Sequence, residues 1–255
     1  EGLMPIFMWK NLRKSYVVNE RWDLLVWYSP SIFHGPFVNV LKKKFKCKTY
    51  LIVRDIFPDW AADLGLMRRG ILFKFFKFVA QYQYSIADKI GVQSQGNLTY
   101  FLDSQSNIEK KVEILPNWLG KAGTKRSKIK VNQTKLSGRK ILVYAGNIGV
   151  AQSVDIFLKL AVKLVERKDL GFLFVGRGSC MENLKHFAQQ NLLENVIFFD
   201  EIDPEEISHL LAQCHIGLVA LSNKHKSHNI PGKFLTYLQN GLPVLANVNP
   251  GNDIA

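Results

Sequence analysis

Short apolar runs alternate with amphipathic stretches along the second half of the chain. The runs predict five strands, at residues 139–146, 170–176, 195–200, 215–221 and 242–247. Helical patterns lie between them, at residues 153–168, 180–191, 204–213 and 231–240. Apolar runs joined by helical crossovers are typical of parallel strands covered on both faces. This half therefore predicts a doubly wound parallel sheet.

The first half has a similar rhythm. Apolar runs predict strands at residues 22–29, 48–55, 88–94 and 111–118. Periodicity then disappears at 119–138, where Lys, Gly, Ser and Thr dominate, so this stretch is interpreted as a linker. The pattern predicts two Rossmann-like α/β domains, at 1–122 and 139–255, with a linker at 123–138 and an interdomain cleft.

Composition and charge add a compartment and a class of partner. The chain has 255 residues, 47% of them hydrophobic, which is enough for packed cores. Its three cysteines are odd in number and far apart, which favours a reducing, cytoplasmic setting. No signal peptide and no membrane-spanning apolar run of the required length of about 18 residues is visible.

The net charge of +13 is unevenly distributed. Residues 1–140 hold 25 Lys and Arg against 10 Asp and Glu, whereas residues 141–255 hold 9 against 11. The asymmetry predicts that the first half meets an anionic membrane or another polyanion. Nucleic acid is the rival partner for so basic a chain, but no helix-turn-helix, zinc finger, KH or RRM signature is present.

Three strand-to-helix turns are the candidate ligand sites, because ligands bind beyond the carboxyl ends of parallel strands. The first holds Gly146, Asn147 and Gly149, the second holds Arg177, and the third holds Gly232 and Lys233 after Pro231. Free backbone N–H groups and the positive end of a helix are suited to phosphate. The alternative is that these glycines serve only tight packing. A complete dinucleotide fingerprint and a P-loop are both absent.

Five segments carry a resemblance to a known family. AGNIGVAQSVDIFLKLA, FLFVGRGSCMENLKHFA and NIPGKFLTYLQNGLPVLA are similar to the C-terminal domain of glycosyltransferase family 4, which has the GT-B fold. LIVRDIFPDWAADLG and ILPNW resemble elements of bacterial O-antigen and capsule transferases. The last donor-domain motif, extended to PGKFLTYLQNGLPVLANVNPGND, looks closest to transferases of N-acetylated amino-deoxy sugars such as N-acetyl-L-fucosamine.

The resemblance implies roles for individual residues. Gly146, Asn147, Gly149, Arg177, Gly232 and Lys233 would hold the donor diphosphate, and Glu201 and Ile202 would flank the base. Thr236 and His228 stand where the family usually keeps acidic residues that contact the ribose and the donor sugar. Relative to the family pattern, the N-terminal domain is incomplete and the C-terminal return segment is absent.

In the first domain, the catalytic candidates are Arg54, Asp55 and His34. Asp55 would orient or deprotonate the acceptor hydroxyl, and His34 is a second candidate base. The alternative for Arg54 is a structural ion pair with Asp55 or Asp59. Retention without an enzyme nucleophile is commonly explained by front-face attack, in which the protein stabilises the leaving diphosphate.

A basic, aromatic stretch at residues 66–85 supplies the expected membrane contact. Arg68, Arg69, Lys74 and Lys77 are interspersed with apolar residues there, as in helices that lie on anionic membranes. A core helix with solvated lysines would have the same pattern.

Together these features predict a peripheral enzyme on the inner face of the cell membrane. It would be a retaining glycosyltransferase of surface polysaccharide biosynthesis, moving a sugar from a nucleotide-diphosphate donor, expected to be UDP-linked, to a lipid-linked glycan. No metal is expected, because no acidic pair lies beside the phosphate turns. The alternatives are an inactive nucleotide-sugar-binding or scaffold protein and a nucleic-acid-binding protein.

Overall fold

The computed structural model of the chain describes residues 2–105, 108–226 and 229–254. The fold divides into two compact units. The first contains residues 1–117, 224–230 and 251–254, and the second contains residues 118–223 and 231–250. Each unit is built around one parallel sheet.

The first unit has a four-stranded sheet of order β1-β2-β3-β4, all parallel. Its strands are β1 (Leu24–Tyr28), β2 (Lys48–Ile52), β3 (Lys89–Val92) and β4 (Val112–Ile114). Its helices are α1 (Met4–Leu12), α2 (Gly35–Phe45), α3 (Asp59–Asp63), α4 (Ile71–Ile86) and α5 (Gln95–Ser104). The strand predicted at 111–118 is shorter than expected, because Pro116 cannot donate to a sheet ladder.

The second unit has a five-stranded parallel sheet of order β7-β6-β5-β8-β9. Its strands are β5 (Lys140–Ala145), β6 (Leu170–Val175), β7 (Val196–Phe199), β8 (Ile216–Ala220) and β9 (Val244–Asn247). Its helices are α6 (Asp155–Lys163), α7 (Met181–Gln190), α8 (Ile207–Leu211) and α9 (Gly232–Gln239). The prediction of two parallel-sheet α/β domains is confirmed.

The apolar runs of the central strands β5 and β6 form strands because both faces of the sheet are covered there. In β5 and β6 nearly every side chain is buried, and Leu142, Tyr144 and Phe174 belong to one apolar core with the helices. The first unit has its own core around Leu51, Ile90 and Phe101.

Two helix starts show how local sequence fixes the elements. Asp203 caps the turn before α8, where its side chain accepts a 3.1 Å hydrogen bond from the backbone N–H of Glu205. Pro231 precedes α9 as its extended N-cap residue, so Gly232, rather than the expected Pro231, is the first helical residue. Gly241 ends α9 in the left-handed conformation, which leads the chain directly into β9.

The stretch predicted as a linker, 123–138, lies in the second unit. Ser127, Ile129, Val131 and Leu136 are buried there. The Gln213 side chain accepts a hydrogen bond from the Val131 backbone and donates one to Ile129. The apolar residues are spaced irregularly, which is why no periodicity marked them. The cations of this stretch therefore belong to the second unit, although they were counted with the basic first half of the sequence.

Candidate functional site

A pocket of about 620 Å³ opens at the carboxyl ends of β5 and β6 in the second unit. We call it the strand-end pocket. Its walls come from the turns after β5, β6 and β7 and from the first half of α9. It is lined by Ala145, Gly146, Asn147, Val175, Gly176, Arg177, Glu201, Ile202, Pro204, Ile207, Lys233, Thr236 and Tyr237. Seven of the residues predicted from the sequence are thus brought together: Gly146, Asn147, Arg177, Glu201, Ile202, Lys233 and Thr236.

Glycines let the turns after β5 and β6 approach each other at this pocket. A Cβ atom on Gly176, at φ +154°, would collide with the carbonyl oxygen of Gly146, and one on Gly178 would collide with that of Ile148. The Ile148 N–H donates to the Arg177 carbonyl at 2.8 Å. Gly176 and Gly178 therefore serve close backbone packing, which is the alternative that the sequence left open.

Lys233 lies at the mouth of the pocket in a polar and aromatic setting. Its Nζ donates a 2.6 Å hydrogen bond to the Tyr144 hydroxyl and lies 4.1 Å from the centroid of that ring. Its Cε would be 3.3 Å from a Cβ on Gly146, so the bare glycine makes room for the lysine. Burial lowers the pKa of Lys233 to about 8, because the ammonium loses hydration. An anion that entered the pocket would favour the charged form.

Tyr144 connects Lys233 to the turn after β5. The Tyr144 hydroxyl donates a 2.7 Å hydrogen bond to the carbonyl of Asn147 while it accepts one from Lys233. Tyr237 anchors the other side, since its buried hydroxyl accepts a 2.9 Å bond from the Ala145 N–H. Its ring lies where a side chain on Gly217 would be. Both tyrosines were missed by sequence reasoning, and their only signal was a phenol within an apolar segment.

Arg177 and Glu201 form an ion pair in the pocket, with 2.9 Å between Arg177 Nε and a carboxylate oxygen of Glu201. The sequence predicted separate roles for them, at the diphosphate and at the base. The Arg177 side chain is 79% exposed, so solvent screens this pair and the guanidinium can exchange partners at little cost. Arg177 is thus a solvent-exposed cation, whereas Lys233 is held by the Tyr144 hydroxyl.

Three further predicted residues lie outside the pocket lining. Gly149 shares the turn after β5, and its N–H donates to the Gln152 side chain at 3.0 Å. Gly232 is the first residue of α9. His228 lies outside the described residues. Their proposed roles at the donor stay predictions.

The first unit places Arg54 and Asp55 directly after β2, at the carboxyl end of its sheet. The Ser29 hydroxyl accepts hydrogen bonds from the backbone N–H groups of Arg54 (2.9 Å) and Asp55 (3.2 Å). Asn229 donates a 2.8 Å bond to the Asp55 carboxylate. Burial raises the pKa of Asp55, and the bond from Asn229 and the charge of Arg54 oppose this rise. Burial lowers the pKa of Arg54, and Asp55 opposes that shift.

Side-chain amides hold the segment that contains Asn229 in this position. We call Asp55, Asn229, Gln93 and Asn117 the Asp55 network. The Gln93 side chain donates to the Arg54 carbonyl and accepts a 3.2 Å bond from the Ile230 N–H. Asn117 donates to both Gln93 and the Ile230 carbonyl, each at 3.1 Å. Segment 224–230 thus belongs to the first unit, although it precedes Lys233 by only a few residues. Sequence reasoning missed Asn229, Gln93 and the contacts of Asn117.

Asp59, a suggested structural partner of Arg54, pairs instead with a lysine of α4. Lys77 Nζ lies 3.0 and 2.8 Å from the two carboxylate oxygens, and both side chains are largely buried. Lys77 is therefore not one of the membrane-facing cations that the sequence pattern suggested. Arg69 also has an internal partner, because it contacts Asp63 at 2.9 Å.

An exposed apolar stripe remains on α4 and the turn before it. Ile71 is 89% and Phe78 is 69% exposed, and Leu66, Leu72, Phe75 and Tyr82 are also exposed. Arg68 and Lys74 lie on the solvent-exposed side of this segment. Contiguous exposed apolar surface of this kind marks an interaction site. Among the described residues, no helix is long and apolar enough to cross a membrane.

His34 lies in a different part of the first unit, as the N-cap residue of α2. Its Nε2 is 3.2 Å from the Met4 sulfur, and it lines an apolar groove between α1, β1 and α2. Within the described part of the chain, no cluster of three or more His, Cys, Asp or Glu side chains has the arrangement of a metal site.

The architecture matches that of solved structures. The crystal structure of Anabaena Alr3699/HepE in complex with UDP matches 92% of this chain and 62% of its own chain, with a TM-score of 0.68 and 14% identity. The fold is therefore GT-B. Residues 139–255, which contain all the lining residues of the strand-end pocket, match the family model described as glycosyl transferases group 1.

Two curated proteins with similar sequences are named as glycosyltransferases. Probable glycosyltransferase WbjE of Pseudomonas aeruginosa is 22% identical over 213 residues, which are 82% of this chain and 53% of the relative. WcaI of Escherichia coli K12, named for glycosyl transfer in colanic acid biosynthesis, is 27% identical over 217 residues, which are 78% of this chain and 52% of the relative. The chain spans about half the length of the curated relatives that it matches.

Proposed function

We propose that the chain is a glycosyltransferase that moves a sugar from a nucleotide-diphosphate donor to a lipid-linked glycan in surface polysaccharide biosynthesis. The observation that carries the proposal is the strand-end pocket of the second unit, in which Lys233 and Arg177 flank the turn of Gly146 and Asn147. Two cations, one of them in the first turn of α9, are suited to a diphosphate.

UDP is the proposed nucleotide. The structural neighbour HepE was crystallised with UDP and with UDP-glucose, at 14% and 13% identity to this chain. In the proposed complex, Lys233 and Arg177 hold the diphosphate, with Gly146, Asn147, Gly149 and Gly232 at the turns. Ile202 and the carbon chain of Glu201 flank the base. Thr236 takes the ribose hydroxyl, as a neutral partner that binds more weakly than a carboxylate. His228 is proposed near the donor sugar.

The proposed reaction retains the configuration of the sugar. The bond between the anomeric carbon and the diphosphate oxygen breaks, and the acceptor oxygen forms its bond to the same face. The diphosphate leaves with the electron pair, and Lys233 and Arg177 stabilise its charge. Asp55 orients the acceptor hydroxyl and receives its proton, which its raised pKa makes easier near neutral pH. No metal is needed in this scheme, because cationic side chains supply the charge.

The membrane surface is the proposed location of the acceptor. The exposed stripe of α4 would insert its apolar side chains at the acyl boundary, with Arg68 and Lys74 near anionic headgroups. The inner face of the cell membrane is the proposed site of action. The sugar is proposed to be an N-acetylated amino-deoxy sugar, on the resemblance of the segment 231–253 to such transferases.

A transfer assay tests the enzyme proposal. The chain is incubated with UDP-glucose, UDP-N-acetylglucosamine or UDP-N-acetyl-L-fucosamine and a diphosphate-lipid-linked glycan extract, and product anomers are assigned by NMR. Transfer with the donor's anomeric configuration supports the proposal. UDP binding without transfer from any donor would support an inactive nucleotide-sugar-binding or scaffold protein.

Pelleting with vesicles tests the membrane proposal. Phe78→Asp is compared with Tyr16→Asp, since Tyr16 is at least as exposed as Phe78 but lies outside the stripe. We expect the Phe78 variant to lose most of its binding to phosphatidylglycerol vesicles, and the Tyr16 variant to keep it. Equal binding by both variants, or a gel shift with RNA or DNA in place of pelleting, would contradict the proposal.

A further inference from the structure

A second cleft lies at the amino ends of the strands of the same sheet, opposite the strand-end pocket, and its lining is strongly basic. It has a volume of about 860 Å³ and opens beside the first residues of β5 and β8. We call it the basic cleft. The cationic and imidazole side chains of its lining are Arg126, Lys130, Arg139, His209 and His215, and among the residues that the structure describes no Asp or Glu lines it.

The basic cleft owes its charge to the segment that the sequence presented as a linker. Residues 118–140 contain eight Lys and Arg and no Asp or Glu. Ile129, Val131 and Leu136 of this segment are buried, so the segment is fixed on the second unit. Arg126 and Lys130 alternate with the buried positions and are exposed at the cleft.

Hydrogen bonds organise both walls of the basic cleft. Gln213 accepts from the Val131 N–H at 2.9 Å and donates to the Ile129 and His209 carbonyls, which ties the segment to the chain after α8. His215 Nδ1 accepts a 3.0 Å bond from the Ile141 N–H. Because Nδ1 is an acceptor, a neutral His215 carries its proton on Nε2 and offers a donor there.

The cations of the cleft are not neutralised within the described part of the chain. Neighbouring Lys125 is paired, at 2.7 Å from Asp203. Among the described residues, no carboxylate lies within ion-pair distance of Arg126, Lys130 or Arg139, and Arg139 donates to the Leu170 carbonyl at 3.3 Å. Like charges held together without a counter-charge repel one another, and a bound anion relieves that repulsion.

We propose that the basic cleft is a second binding site, distinct from the strand-end pocket, for a ligand that carries two or more phosphate groups. The positive charge would come from Arg126, Lys130 and Arg139. Neutral hydrogen-bond donors would come from His215 and from the residues around Ser127. A volume of this size exceeds that of one phosphate, and Arg matches phosphate geometry with two N–H groups. The site stands whether or not the donor proposal holds, because the two pockets share no lining residue.

Calorimetry with inorganic diphosphate tests the proposal. The intact chain is titrated with inorganic diphosphate at low salt after saturation with UDP, so that the strand-end pocket is filled. The test variant is Lys130→Ala/Arg126→Ala. The matched control is Lys163→Ala/Lys168→Ala, which removes two exposed lysines elsewhere on the second unit. Circular dichroism and thermal unfolding check that each variant folds.

We expect the test variant to bind inorganic diphosphate at least about tenfold more weakly, and the control to bind like the unchanged protein. Equal weakening in both variants would show non-specific charge attraction and would overturn the proposal, as would the absence of any binding. If UDP itself fails to bind in the strand-end pocket, the titration is run without it; the same ratio between variants is expected, which separates this site from the donor proposal.

A second arm identifies the source of the phosphate groups. The same variants are pelleted with vesicles of phosphatidylcholine containing cardiolipin, which carries two phosphates, in the presence and absence of inorganic diphosphate. Competition by diphosphate, lost in the Lys130→Ala/Arg126→Ala variant, assigns the cleft to lipid headgroups. If vesicle binding is changed neither by diphosphate nor by the double substitution, the basic cleft is assigned to a free phosphorylated ligand.

Discussion

Two charged groups, Lys233 in the second unit and Asp55 in the first, are both removed from water but are supported in different ways. Lys233 has a tyrosine hydroxyl and an aromatic face as neighbours, and its pKa falls to about 8. Asp55 has an amide donor and the charge of Arg54, which limit the rise of its pKa. Among the described residues no carboxylate pairs with Lys233, so an anionic ligand can provide its counter-charge, whereas the Asp55 carboxyl already has partners that keep it oriented.

Because their surroundings differ, Lys233 and Asp55 are suited to bind different ligands. A desolvated cation in a pocket is stabilised by a diphosphate, since the anion replaces the electrostatic stabilisation that the ammonium lost with its hydration. An oriented carboxylate with a raised pKa is suited to exchange a proton with a hydroxyl. Substituting Lys233 or Asp55, or their partners Tyr144 and Asn229, tests these roles separately.

The largest effect is expected from removing the carboxylate of Asp55. Asp55→Asn keeps the shape and a hydrogen bond to Asn229 but cannot accept a proton, so we expect sugar transfer to fall by about 10²–10⁴-fold. UDP affinity should stay unchanged, because the carboxylate is not part of the strand-end pocket. Asp103→Asn, an exposed carboxylate of the same unit, serves as the control. Transfer at the unchanged rate by Asp55→Asn would remove Asp55 from the mechanism.

The two regions also differ in how far they could be predicted. Gly146, Asn147, Arg177 and Lys233 were found because each lies in a turn that directly follows a strand or begins a helix, where local sequence fixes position. The Asp55 network joins residues far apart in sequence, since Asn229 lies 174 positions from Asp55. Nothing local marked Asn229, Gln93 or Tyr144. Lys77 was misassigned for the same reason, because its partner Asp59 lies on another helix.

The next largest effect is the pH dependence of UDP binding through Lys233. In the free protein, Lys233 loses its proton as pH rises through about 8, whereas bound diphosphate favours the charged form. We expect the dissociation constant to rise by up to roughly tenfold per pH unit above pH 8, because each bound UDP must then take up a proton. Lys233→Arg should flatten this dependence, since a guanidinium stays charged throughout. A flat profile in the unchanged protein would contradict the shifted pKa.

The lowered pKa of Lys233 also affects the free energy of unfolding. This quantity rises with pH, whereas UDP affinity falls with pH. The unfolded chain has an ordinary lysine, which keeps its proton to a higher pH than folded Lys233 does. Between about pH 8 and pH 10 the unfolded state therefore binds more protons, and the free energy of unfolding gains a contribution that rises with pH. Comparing urea unfolding of the unchanged protein and Lys233→Met over this range isolates it. A difference between the two proteins that is independent of pH would count against the shift.

A smaller effect is expected from removing the support of Asp55. Asn229→Ala deletes the hydrogen bond that lowers the Asp55 pKa, so the acid limb of the transfer rate profile should move to higher pH. We expect rates to fall by about tenfold on that limb, since a hydrogen bond to a charged group contributes at least about 1.5 kcal/mol. Rates on the alkaline side should change less. Asn19→Ala, exposed in the same unit, should leave the profile where it is.

The smallest effect is expected from Tyr144→Phe. The variant keeps the buried ring but removes the hydroxyl that joins Lys233 to the Asn147 carbonyl. We expect UDP affinity to fall by about three- to tenfold, the loss of one hydrogen bond of about 1 kcal/mol. Tyr16→Phe, at an exposed position, is the control. An unchanged affinity would mean that the backbone turns hold Lys233 without the phenol.

The central claim is that the strand-end pocket binds a nucleotide diphosphate through Lys233. The most direct measurement is calorimetric titration of UDP at pH 7 into the unchanged protein, Lys233→Met and Lys163→Met, the last an exposed lysine of α6. We predict one binding site in the unchanged protein and in Lys163→Met, and about a hundredfold loss of affinity in Lys233→Met, as expected for a charge-assisted contact with a diphosphate in a partly desolvated site. Equal UDP affinity in all three proteins would contradict the claim.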